Sequence, residues 1–130
     1  MGDIRMGPAE TEFAEIIWEC EPIASGVLSK KAEEVLHWKK TTSFTVLKRL
    51  CDRGIFQNQH GMVTSLISRE EFFARHSEQY VQDNFGGSLP AFLAAFSTHQ
   101  KLSDKEIDEM KKTIEEMKVH YIKNTSIFKG

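Results

Sequence analysis

A chain of 130 residues, 40% hydrophobic and 28% charged, carries enough apolar surface for one compact domain, or for a small domain with an oligomerisation appendage; wholesale disorder and fibrous repeats are excluded. No stretch approaches the roughly 18 to 20 consecutive apolar residues of a bilayer crossing, and the acidic start Met1 to Glu12 is no signal peptide, so a soluble cytoplasmic protein with no membrane partner is expected. The formal net charge of −2 argues on totals against a nucleic-acid partner, yet between Lys39 and Arg53 five basic residues (Lys39, Lys40, Lys48, Arg49, Arg53) face a single acid, Asp52.

Helical patterning begins at Pro8, whose ring suits a first helical turn, and Glu10, Glu12 and Glu15 add the negative charge that a helix N-terminus favours. Phe13, Ile16 and Ile17 recur at helical spacing, so a first helix is predicted from Pro8 to Trp18, with the chain breaking near Glu21-Pro22. Ser25 offers an N-cap for a second helix in which Leu28, Ala32, Val35 and Leu36 keep the 3.6-residue period. A Trp38-Lys39-Lys40 link leads to Thr41 and Thr42, and a third helix runs to Arg53, where Gly54 suits a C-terminus. Ile55 to Gln59 and Met62 to Ile67 then read as two β-type runs joined at His60-Gly61, a hairpin. Three helices followed by a hairpin is the element order of a winged helix-turn-helix, complete by about Ile67.

The second half is helical. Ser68-Arg69-Glu70-Glu71 and Ser103-Asp104-Lys105-Glu106 both match the capping box, in which serine and glutamate satisfy free amides at a helix start. A shorter helix is predicted between them, from Ser88 through Phe96, with Pro90 in its first turn and Gly86-Gly87 breaking the chain before it. In the last helix Ile107, Met110, Ile114, Met117 and Tyr121 recur at intervals of 3, 4, 3 and 4, the seam of a helix packed lengthwise against another. Such a seam serves intramolecular packing or dimerisation. With the first 67 residues closing as a unit, dimerisation is favoured.

The third helix carries the chemistry. At 100° per residue Thr41, Thr42, Thr45, Lys48, Arg49 and Asp52 share one arc, while Val46, Leu47, Leu50 and Cys51 fall opposite, with Phe44 at the border. A major groove presents donors, acceptors and thymine methyls; short hydroxyl side chains allow close approach, and cations reach phosphate or guanine. On an isolated helix the same residues read more readily as caps and solvated surface charges, and it is the element order that turns the reading toward DNA. Other chemistry finds little support. The histidines His37, His60, His76, His99 and His120 include no pair at ligand spacing, Cys20 and Cys51 form no Cys-x-x-Cys, and no phosphate-binding loop, nucleophile elbow or His-Glu-x-x-His is present. Neither a metal, a cofactor nor a catalytic site is expected.

Several segments taken together resemble the penicillinase-repressor family: Ile16-Ile17-Trp18, the run Lys40-Thr41-Thr42-Ser43-Phe44-Thr45-Val46-Leu47-Lys48-Arg49-Leu50, and Gly54-Ile55. Phe85 through Phe96 is similar to that family's Gly-Gly-Ser segment, and Leu102 through Ile107 to the start of its final helix, so the likeness spans nearly the whole chain. The resemblance implies a winged helix followed by a helical dimerisation domain, and a homodimer that blocks transcription from a dyad-symmetric operator in double-stranded DNA. It places Lys40, Thr41, Thr42, Phe44, Thr45 and Lys48 on a recognition helix, makes Arg49 a backbone contact, and sets Phe92 and Phe96 in the dimerisation domain with the seam residues. Three departures stand out. Relatives released by a sensor protease carry Asn-Phe where this chain aligns Ala95-Phe96, while its own Asn84-Phe85 lies out of register, so that site is not carried over and a sensor protease stays an open partner. Residues 121–130 hold no cysteine, unlike the copper-responsive branch. The wing Gln57-Asn58-Gln59-His60-Gly61 has no Arg or Lys, leaving Asn58, Gln59 and His60 to hydrogen-bond phosphate.

The expected fold is mainly α with a small β-hairpin: a winged helix-turn-helix DNA-binding domain over residues 1–67, followed by a helical dimerisation domain over residues 68–130. Two non-enzymatic rivals remain, a winged-helix protein-interaction module and a ligand- or redox-gated regulator resting on Cys20, Cys51 or a pocket between helices.

Overall fold

The computed structural model describes residues 5–129, with side chains through residue 119. α1 (Pro8–Cys20) starts with proline in its first turn and buries Phe13, Ala14 and Ile17 on one stripe. Glu21 is already extended, and Pro22, which lacks an N–H, cannot continue the helix. There follows an element with no periodicity to reveal it, the two-residue β1 (Ile23–Ala24).

α2 (Ser25–Leu36) begins one residue earlier than its sequence signal. Ser25 is helical rather than the N-cap: Ala24 holds that place without a side-chain bond, and the Ser25 N–H donates instead to the Gly61 carbonyl at 2.8 Å. Val35, expected in the apolar stripe, is 61% exposed; Leu28, Ser29 and Ala32 form the buried side. The helix closes through His37, held at a φ of 59°, and Trp38 folds back so that its ring stacks 5.1 Å from Phe13. α3 (Lys40–Asp52) buries Ser43, Val46, Leu47 and Leu50. Gly54, at a φ of 80°, turns the chain into the sheet.

β2 (Phe56–Gln59) and β3 (Met62–Ser65) are joined by His60-Gly61 alone, both at positive φ, the backbone that matches the twist of a two-residue hairpin. The sheet is three-stranded and antiparallel in the order β1-β3-β2. Val63 pairs with Ile23 on one side and Asn58 on the other and is fully buried. The Glu21 carboxylate fastens the end of the central strand β3, accepting from the Ser65 amide at 2.9 Å and the Ser65 hydroxyl at 2.8 Å.

α4 (Arg69–Phe85) is capped by Ser68, whose hydroxyl accepts from the Glu71 amide at 3.1 Å. Its Phe72 is 1% exposed and belongs to the same core as Phe13, Ile17, Leu50 and Phe56. Trp18 lies between, 5.4 Å from the rings of both Phe56 and Phe72, with its indole N–H donating to the Ile67 carbonyl at 3.0 Å. By packing, the chain divides into a unit Met1–Gly87 and a unit Ser88–Gly130; residues 68–87, grouped from sequence with the second half, thus lie in the first.

In the second unit α5 (Leu89–Ser97) starts behind Ser88, whose hydroxyl accepts from the Ala91 amide, and α6 (Asp104–Lys129) behind Ser103, which forms the reciprocal box with Glu106. The six helices and small sheet of the described residues are the expected class, a winged helix followed by a helical segment. No helix among the described residues is long and apolar enough to cross a membrane.

Because Phe72 closes the first unit from α4, Phe72→Ala is expected to cost it about 3 to 5 kcal/mol, the usual loss for a buried phenylalanine. Urea denaturation followed by tryptophan emission checks this, since Trp18 packs on that ring; an unchanged midpoint contradicts it.

Candidate nucleic-acid interface

Rotation of α3 about its axis is decided by its apolar side. With Val46, Leu47 and Leu50 in the core and small Ser29, Ala32 and Ser43 buried on α2 and α3, the opposite face turns outward. Lys40, Thr41, Thr42, Phe44, Thr45, Lys48 and Arg49 are all exposed on it. Cys51, placed from sequence among the buried residues, is only half-buried at the edge of the core.

The exposed side chains are not equivalent. Thr45 Oγ1 donates to the Thr41 carbonyl one turn back, at 2.8 Å, which fixes the hydroxyl and leaves its oxygen lone pairs available as acceptors. Lys40 Nζ lies 5.9 Å from the Phe44 ring centroid, so the partly exposed ring steadies a cation at the start of the helix. Lys48 has no ion pair among the described residues, whereas Arg49 donates to Glu10 Oε1 on α1 at 3.0 Å. Arg53 donates to the Arg5 carbonyl at 2.8 Å and lies 3.7 Å from Glu10 Oε2. The cationic footprint therefore has a free part and a part tied to α1. Glu10 was legible only as helix-start charge, because no sequence pattern links residues 39 positions apart.

His60 is exposed at the tip of the wing, flanked by exposed Asn58 and Gln59, while Gln57 is occupied with Thr64 across the strands at 3.0 Å. No three potential ligand residues cluster around a metal-sized site among the described residues. Burial, and secondarily the charge of Asp52, pushes the Cys51 thiol above its ordinary pKa. That is the reverse of a thiol activated for redox sensing.

Of the expected dimerisation residues, Phe96, Ile107, Ile114 and Met117 are exposed and Phe92 and Met110 half-buried; the Tyr121 side chain lies outside the described residues. Phe92 and Phe96 rings are 6.3 Å apart. Leu89, Phe92, Leu93, Met110, Ile114 and Met117 line an apolar groove of about 450 Å³ between α5 and α6. None of the described side chains of this unit is buried.

A helix pair, a three-stranded sheet with a short wing, and an outward hydroxyl-and-cation face on α3 define a winged-helix protein that carries a second, helical unit. The family described as penicillinase repressor matches residues 6–116, and the chain belongs to that family, one of transcriptional repressors. Among its relatives is the penicillinase repressor of Bacillus licheniformis, 25% identical over 118 residues that cover 88% of this chain and 92% of that protein.

A thiol held above its usual pKa carries little thiolate near neutrality, so in a Cys20→Ala background iodoacetamide should modify Cys51 more slowly than a thiol in a short unstructured peptide. The rate should keep rising with pH after an ordinary thiol has fully ionised, and Asp52→Asn should raise it at fixed pH. Alkylation as fast as in the peptide contradicts the assignment.

Proposed function

We propose that this chain is a sequence-specific DNA-binding transcriptional repressor, acting as a homodimer on a dyad-symmetric operator with α3 as the recognition helix. The observation that carries the reading is the outward face of α3: Thr41, Thr42 and Thr45 with Lys40 and Lys48, backed by a buried apolar side that prevents the helix from turning it inward. Hydroxyls near the start of the helix approach base edges, and cations at either end meet phosphate. Phe44 offers an apolar contact to a thymine methyl or sugar, and His60 with Asn58 and Gln59 reaches the backbone from the wing. The family and the repressor name of the Bacillus licheniformis relative support the same reading.

Dimerisation belongs to the second unit. Helices with no buried side chain and an exposed apolar seam are not stable alone in water, and a second copy supplies the missing surface through a two-fold axis that also relates the half-sites. One rival keeps a specific observation in its favour: the net charge of −2 and the wing without cations suit a protein-interaction module.

Fluorescence anisotropy with duplex from the chain's own promoter region, at two salt concentrations, separates the two. Binding should weaken steeply with salt as counterions are displaced from DNA. Lys48→Ala should weaken binding to all sequences and reduce the salt slope by about one, whereas Thr45→Ala should cost about 1 to 3 kcal/mol at one position of the site. Equal losses on operator and random DNA contradict a base-reading role for Thr45. For the seam, Ile114→Glu should give monomers by analytical ultracentrifugation with the winged helix still folded; persistence of the dimer refutes that assignment.

A further inference from the structure

One carboxylate on α1 reaches two cations at the end of α3, Arg49 in its last turn and Arg53 at its C-cap. Glu10 Oε1 accepts from Arg49 Nη1 at 3.0 Å, and Glu10 Oε2 lies 3.7 Å from Arg53 Nη1, which donates to the Arg5 carbonyl at 2.8 Å. The carboxylate is the enclosed partner: its side chain is 22% exposed and its Oε2 buried, against 45% exposure for Arg49. The pair therefore turns its cationic side to solvent and keeps its anionic side behind. Glu10 also sits in the first turn of α1, where the helix dipole favours a negative charge.

On α3, Arg49 lies about 40° round from Thr45 and Arg53 about 40° further, at the flank of the polar arc rather than its centre. That flank is where a phosphate backbone bordering the groove would run. A guanidinium offers five N–H donors in a fixed fork, so one bond to Glu10 leaves several for phosphate. A long side chain held in place beforehand also loses less rotamer freedom when it grips its target.

Resting on the reading of α3 as the DNA-binding helix, we propose that Glu10 is a positioning residue: through its bond to Arg49, with Arg53 beside it, it aims the guanidinium at the DNA backbone without touching DNA itself. The opposite arrangement, a carboxylate that withholds Arg49 from phosphate, predicts the opposite sign. It is an outcome of the same experiment.

The full chain and its Glu10→Ala, Glu10→Gln, Arg49→Ala and Glu10→Ala/Arg49→Ala variants are titrated against a random-sequence duplex across a salt series, with thermal melts alongside. Glu10→Ala should weaken binding about two- to fivefold, the scale of an exposed ion pair, and make the salt dependence shallower. Glu10→Gln, which keeps an acceptor for Arg49, should retain most of the affinity, and Glu10→Ala should add no loss once Arg49 is gone. Tighter binding by Glu10→Ala overturns the proposal, as does an equal loss with and without Arg49, which would mark Glu10 as mere support for α1. Salt-dependent binding absent from the unmodified chain instead removes the DNA reading itself, so the two failures are told apart by the unmodified protein alone.

Discussion

Burial of Val46, Leu47 and Leu50 is the constraint on which the proposed DNA-binding surface depends. A helix of 13 residues has little stability of its own in water, and it acquires a unique orientation only by hiding one side. Once those three side chains are in the core, the arc with the threonines and Lys48 has nowhere to point but outward. The small side chains at Ser29, Ala32 and Ser43 let α2 and α3 pack without large residues between them. The Ser43 hydroxyl, buried with no partner, shows that close packing is kept there even with a polar atom left unsatisfied.

What the sequence made legible follows the same physics. Strong local signals survive into the structure: the serine caps at Ser68 and Ser103, the proline starts of α1 and α5, the left-handed Gly54 and Gly61, and the apolar side of α3. Signals that depend on long-range contact do not. β1 has only two residues and exists because Val63 offers it a partner; Ser25 meets Gly61, 36 positions away, rather than capping its own helix; and Val35 keeps the helical period yet is left exposed, while Leu28, Ser29 and Ala32 form the buried side of α2. Phe72 is the same lesson at larger scale. Its capping box announces a new helix correctly, while only the three-dimensional meeting with Trp18 reveals which core that helix completes.

The two halves of the chain answer to different demands. The first unit has a full interior of aliphatic and aromatic side chains, tied at its rim by Glu21 to Ser65 and by Trp18 to Ile67. The second has, among the described residues, two well-capped helices whose apolar side chains are at most half-buried. Capping fixes where a helix begins but contributes little to whether it persists, so for α5 and α6 the capping motifs specify geometry, and under the proposed dimerisation the remaining packing surface is supplied by a second copy.

The two-residue turn at the wing carries a mechanical implication. Its Gly61 carbonyl receives the amide that opens α2, so the hairpin tip and the first turn of the helix pair are stitched together backbone to backbone. A wing attached in this way cannot flex as an independent arm searching for contacts. Whatever tilts it also tilts the start of α2, and lengthening the turn would trade that shared stiffness for reach.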